Sequence, residues 1–172
     1  MVTIKSEEEI TKMKEAGHIN YLTHQYLKSL IKPGITTEYL NEEADKFIRS
    51  HGAKPGFLNM YDFPKSVCIS VNEEIVHGIP GKRVLNEGDI VSIDIGVVKD
   101  GHHSDSAWTY PVGKISKEKE YLLHHTEKAL FVGLKEIKDG AKLGNIGARI
   151  EQYAKKHNIP VIAYGLRTDF KT

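Results

Sequence analysis

The spacing of apolar positions changes twice along this chain, and each change marks a switch of element type. After Ser6, the residues Ile10, Met13, Leu22, Tyr26, Leu27 and Leu30 recur at helical spacing and stop before Pro33-Gly34. Ser6 and Glu9 have the spacing of a capping box, so the pattern predicts a helix starting just after Ser6. A second helix is predicted from near Thr37, with Leu40, Ala44, Phe47 and Ile48 on one face and an end at Gly52. A period of two then takes over. Val67-Cys68-Ile69-Ser70-Val71 and Ile75-Val76-His77 read as strands joined at Asn72-Glu73-Glu74. Val91, Ile93, Ile95 and Val97 alternate with Ser92, Asp94 and Gly96, which predicts a strand with two unlike faces. His102 to Tyr110 is its partner across a Lys-Asp-Gly turn. Helical spacing returns from about Ser116 to Lys138, stopping at Asp139-Gly140, and again from about Asn145 to His157.

The helices conceal a repeat. At an offset of 106, residues 31–52 (IKPGITTEYLNEEADKFIRSHG) lie on residues 137–158 (IKDGAKLGNIGARIEQYAKKHN). Ile31 meets Ile137, Lys32 meets Lys138, Gly34 meets Gly140, Phe47 meets Tyr153 and His51 meets His157. Two amphipathic helices after glycine turns would share their apolar positions by pattern alone. The Ile-Lys-x-Gly match and the histidine favour a diverged duplication. The first copy continues through strands to about Val112, whereas the second has helices and almost none. By this logic a complete molecule needs about fifty more residues.

Composition narrows the class. The chain has 172 residues, 40% of them apolar, which suits one globular domain. Lys plus Arg number 24 against 23 Asp plus Glu, so net charge gives no reason to expect nucleic acid. Lys155, Lys156 and His157 read as a solvated helix face. The single cysteine, Cys68, excludes an intrachain disulfide and fits a reducing compartment. No apolar run reaches membrane-spanning length, and the first residues, MVTIKSEEEI, lack a secretory pattern. The expectation is a cytoplasmic protein with no membrane partner.

Candidate chemistry centres on Asp94 and Asp105. A two-residue loop at Lys99-Asp100 sets them opposite each other, and a loop at Asp100-Gly101 makes them diagonal neighbours on one face. Only the intermediate register separates them. Two carboxylates that close repel, and relief comes from open water, a shared proton or a bound cation. Their face also carries His103, and no Lys, Arg or Glu. Short oxygen donors at this spacing favour a divalent metal, and a bridging carboxylate could hold two ions.

Three stretches together resemble the type I methionine aminopeptidases of the pita-bread metallopeptidase fold. They are SEEEITKMKEAG (6–17), FPKSVCISVNEEIVHGIPG (63–81) and LNEGDIVSIDIGVVKDGHHSDSAWTYPVG (85–113). The resemblance runs from about residue 3 to about residue 160. It implies an α+β pita-bread (creatinase/aminopeptidase-like) fold of two related halves. The first half, about 1–113, is complete. The second-half helices fall at about 114–160, most of that half's strands are lacking, and a tail from about 161 to 172 departs from the family.

The resemblance also implies roles. Asp94 would chelate one metal ion and Asp105 would bridge two, the ions being Co, Mn, Fe or Zn. His77 would hydrogen-bond the substrate amide or the tetrahedral intermediate. Cys68, Phe57, Met60 and Phe63 would line the pocket for a methionine side chain, where a thioether meets polarisable apolar walls. The implied activity is metal-dependent removal of N-terminal methionine from nascent polypeptides, with a peptide or nascent-chain N-terminus as partner. The family's other ligands are a histidine in a Gly-His-Gly-Ile-Gly stretch and two glutamates. Here the corresponding stretch reads IPVIAYGLRTDFKT. With two ligands of five, weak metal binding and little or no activity are expected, and an incomplete sheet invites self-association. The tail reads either as a frameshifted end or as the diverged end of a short paralogue. The alternative function is a non-catalytic aminopeptidase-like chain acting as a binding or scaffold module.

Overall fold

The structure, a computed structural model, describes residues 4–161. It divides into two compact units, Met1–Ile115 and Ser116–Thr172. The first unit opens with helix α1, Glu7–Leu30. Its start is the capping box read from the sequence. Glu9 N donates to Ser6 Oγ at 3.2 Å, and Ser6 N donates to Glu9 Oε2 at 2.7 Å. Helix α2, Thr37–Ser50, begins at Thr36, whose hydroxyl oxygen accepts from Tyr39 N. It ends at His51, after which Gly52 takes a left-handed φ of 66°.

The buried face of α1 differs from the apolar stripe. Ile10 and Met13 stay exposed, and the inner face is Ala16, Ile19, Asn20, Thr23, His24 and Leu27. Polar side chains lie inside because the sheet offers them partners. Asn20 Nδ2 donates to Ile95 O at 2.6 Å, and Ser106 Oγ donates to Asn20 Oδ1 at 2.6 Å. His24 bridges the Tyr110 hydroxyl (3.0 Å) and the Ser106 carbonyl (3.1 Å). A carbonyl only accepts, so Nε2–H donates to Ser106 and Nδ1 accepts from Tyr110. Burial pulls the His24 pKa down, against the hydrogen bond to Ser106. These hydrogen bonds to named strand positions act with the buried Ile19 and Leu27 to seat α1 on the sheet.

The sheet is antiparallel and built around one long strand. β3 (Ile90–Lys99) pairs along its whole length with β4 (His102–Pro111). Its other edge carries β2 (Val67–Val71) opposite residues 91–95 and the two-residue β1 (Lys54–Pro55) opposite residues 97–98. The hairpin turn is Asp100-Gly101, with φ of 47° and 78°, and it sets the register Gly96↔Asp105 and Asp94↔Ala107. Val91, Ile93, Ile95 and Val97 are fully buried and, with Leu27, Leu40, Ile48 and Val67, form the core. Ser106 and Tyr110, which bond to α1, lie opposite Ile95 and Val91 and share their face. Asp94, Gly96 and Asp105 therefore point away from α1.

Two expected elements need correction. Ile75-Val76-His77 is not a strand. Asn72 and His77 take left-handed φ values of 54° and 59°, which breaks extended pairing. One bond, Ile69 N to Gly78 O at 2.9 Å, joins this segment to the backbone of β2. The third helix, α3 (Lys117–Leu134), stops short of Lys138. Bonds from Glu136 N to Gly133 O and Ile137 N to Leu134 O tighten the chain into turns beyond Gly133, a weak helix former.

In the second unit, α3 packs on α4 (Gly144–Lys156). Gly133 makes the approach possible, because a Cβ there would lie 2.7 Å from the Ile150 side chain. His125 Nδ1 and the Tyr153 hydroxyl bond at 2.9 Å, and the Tyr121 hydroxyl donates to His157 O at 3.1 Å. Residues matched at the offset of 106 also share conformation. Gly34 and Gly140 have φ of 92° and 74°. His51 and His157 both cap helices, at φ, ψ of −93°, 14° and −105°, 13°. Phe47–His51 and Tyr153–His157 are both ring pairs at 4.4 Å. Among the described residues every strand lies in the first unit, and no helix is long and apolar enough to cross a membrane. Apart from Val161, the tail at about 161–172 lies outside the described residues.

Candidate metal and peptide site

The sheet face away from α1 floors a cavity of about 530 Å³. Cys68, Asp94 and Ala107 form one row across β2, β3 and β4, and Gly96 and Asp105 form the next. Beside them Ser92 and Thr109 close the face with a hydroxyl pair at 2.7 Å. The cavity wall comes from the loop between β1 and β2, held by bonds of 2.9 Å from Asn59 N to Phe63 O and from Met60 N to Phe57 O. All seven residues singled out in the sequence line this one cavity: Phe57, Met60, Phe63, Cys68, His77, Asp94 and Asp105. Tyr61, Asp62, Pro64 and Ile79 line it as well and were not foreseen. Asn59, Tyr61 and Asp62 have φ of 65°, 47° and 63°, and no periodic signal reports such a loop.

The carboxylates are diagonal neighbours, as the Asp100-Gly101 register requires. Asp94 is half-buried and hydrogen-bonds Asp105. Burial, then the Asp105 charge and hydrogen bond, push the Asp94 pKa up to about 7. Asp105 is exposed and Asp94 half-buried, so water reaches one carboxyl while burial disfavours charge on the other. That chemistry fits a divalent ion, which favours short acidic oxygen donors. Among the described residues no group of three or more His, Cys, Asp or Glu is placed to hold one.

Cys68 sits directly beside Asp94 in the register. Burial, followed by Asp94 and Asp105, pushes its thiol up to about 11. At pH 8 Cys68 should react with iodoacetamide at least about a hundredfold more slowly than a free thiol. Mass spectrometry of the alkylated chain over time checks this. His77 is exposed at the rim, and its backbone is pinned through Gly78. Gly78 N donates to Ser70 Oγ at 3.1 Å, and Gly78 O accepts from Ile69 N at 2.9 Å. A Cβ at residue 78 would come within 2.2 Å of Ile69 O, so only glycine fits.

The chain matches the metallopeptidase family M24 over residues 11–171, and it belongs to that family. Methionine aminopeptidase 1 of Bacillus subtilis is 50% identical over 94% of this chain and 65% of its own length. The crystal structure of methionine aminopeptidase from Rickettsia prowazekii superposes with a TM-score of 0.90 at 40% identity, covering 92% of this chain and 64% of that one. Prolidase from Pyrococcus furiosus shares the fold at a TM-score of 0.81 and 20% identity, over 90% and 44%. The chain thus has the pita-bread fold and spans a little under two thirds of the length of the methionine aminopeptidases it matches.

Proposed function

We propose that this chain carries the acidic floor and side-chain pocket of a methionine aminopeptidase, a hydrolase that removes N-terminal methionine from peptides and nascent chains in the cytoplasm. One observation supports the reading most directly. Residues assigned to ligating, substrate-binding and pocket roles, drawn from positions 57 to 105, converge on one cavity. Asp94 and Asp105 would hold the divalent metal, Co, Mn, Fe or Zn, with up to two ions in a complete site. A bound ion supplies Lewis-acid polarisation and an activated water. Phe57, Met60, Phe63 and Cys68 enclose the methionine side chain and keep water from it. His77 donates a hydrogen bond to the substrate amide from a rim position held rigid by Gly78.

The second reading, a non-catalytic binding module of the same family, draws on the partial ligand set. The remaining donors called for by the resemblance, a histidine and two glutamates, do not occur in residues 159–172, which read IPVIAYGLRTDFKT. Hydrolysis of Met-Ala-Ser with added Mn²⁺ or Co²⁺ separates the readings. The first expects turnover that Asp105→Asn abolishes. Product no higher than the metal-only blank favours the second. We also propose self-association, supported by exposed Leu130, Phe131, Leu134 and Ile137 in the second unit. Light scattering on a size-exclusion column should give a mass above 19.3 kDa, and a clean monomer overturns this.

A further inference from the structure

Gly96 has no local reason to be glycine. It lies in the interior of β3 with a φ outside the left-handed region, in a strand where a side chain would add stability. The reason is steric. A Cβ at residue 96 would fall 2.7 Å from Phe57 Cε1, 2.8 Å from Cδ1 and 3.2 Å from Cζ. The edge of the Phe57 ring occupies the volume that any other residue would fill. Phe57 cannot retreat along the chain. Its neighbour Gly56 donates from its N to Gly96 O at 2.7 Å, and a Cβ on Gly56 would already lie 3.0 Å from Gly96 C. With the backbone pinned there, a displaced ring can move only off the sheet, into the cavity.

The position matters because Gly96 is opposite Asp105 and two residues from Asp94 on the same face. The geometry points to Gly96 as a specificity-determining residue: by lacking a side chain it seats Phe57 beside the carboxylate pair and sets the depth available to a substrate side chain. Small residues at 96 admit a long unbranched side chain such as methionine. Larger ones push Phe57 forward and restrict the cavity to short side chains. The inference rests on the methionine-pocket reading of this cavity. It adds a residue that touches no substrate and acts through Phe57.

A double-mutant cycle of Gly96→Ala and Phe57→Leu tests it, first by thermal melting without ligand. Gly96→Ala should lower the melting temperature by about 4 °C with Phe57 present, and should leave or raise it with Leu at 57. Calorimetry with Mn²⁺ then measures L-methioninamide against L-alaninamide. Gly96→Ala should weaken L-methioninamide about tenfold, leave L-alaninamide unchanged, and recover methioninamide affinity in the double variant. Mn²⁺ affinity should be the same in all four proteins. Additive melting shifts overturn the inference alone. So do coupled shifts with unchanged methioninamide affinity, or a parallel loss of Mn²⁺ that places the effect on the carboxylates. Coupled melting in a wild-type protein that prefers neither amide sinks the pocket reading and this inference together.

Discussion

Binding of Mn²⁺ to this chain at pH 6 should release close to one proton, and Asp105→Asn should abolish both the binding and the release. Without metal, burial and the Asp105 charge push the Asp94 pKa up to about 7, so at pH 6 Asp94 keeps most of its proton. If Asp94 and Asp105 held a divalent ion as proposed, its charge would favour the ionised carboxylate and displace that proton. At pH 8 the release should be small, since the proton has already gone. Calorimetry in buffers of different ionisation enthalpy counts the protons, and heat independent of the buffer at pH 6 would refute the assignment. The same shift sets a stability profile. The folded pKa of Asp94 is raised above its unfolded value of 3.8. The metal-free protein therefore keeps the full contribution below about pH 4 and loses it as pH rises toward 7. Discounted for the solvent-facing part of Asp94, the loss is on the order of 2 kcal/mol. Asp105→Asn removes the neighbouring charge and leaves Asp94 as buried as before, so its profile should be shallower and its metal-free form more stable at pH 8. Urea melts at pH 4.5, 6 and 8 check the slope.

Much of this centre could be read before any coordinates, for physical reasons. Strand alternation puts Asp94 and Asp105 on one face as soon as the turn is placed. Asp-Gly is the pair that tolerates positive φ at both positions, and the turn there selects one of the registers that the sequence alone leaves open. Capping at Ser6 and the stops at Pro33-Gly34 and Gly52 were likewise local. What escaped was non-local. The inner face of α1 is half polar because Asn20 and His24 answer partners on strands about eighty residues away, and no periodicity within a helix reports that. Ile75-Val76-His77 has strand composition, yet left-handed residues at Asn72 and His77 turn it into a rim. The loop at residues 59–62 carries no apolar alternation, so Tyr61 and Asp62 stood outside every pattern although they line the cavity. Phe57, Met60 and Phe63 were found by resemblance alone.

Gly78 makes that rim work, and Gly78→Ala should be the most damaging single methyl group in the cavity wall. The added Cβ would lie 2.2 Å from Ile69 O, 2.9 Å from Ile69 C and 3.0 Å from Ser70 Cα. All three are backbone atoms of β2, a fully buried strand that cannot give way. The 76–79 segment must instead lift from the sheet edge, losing the bonds to Ser70 Oγ and Ile69 N. The global cost should be modest, about 2 kcal/mol, because the segment is exposed and outside the core. The local cost is larger. His77 rides on this backbone, and a shift of about 1 Å in a positioning group costs about a hundredfold in turnover. If His77 is the proposed donor, His77→Ala should lose a similar amount of turnover, with unaltered melting. Neither variant should change Mn²⁺ binding, since Asp94 and Asp105 sit on β3 and β4. The imidazole resonance of His77, assigned by its loss in His77→Ala, gives a readout independent of turnover. In Gly78→Ala that resonance should move while those of His24 and His125 stay in place. An unmoved His77 signal would mean that the rim tolerates the methyl group and that Gly78 does not position the histidine.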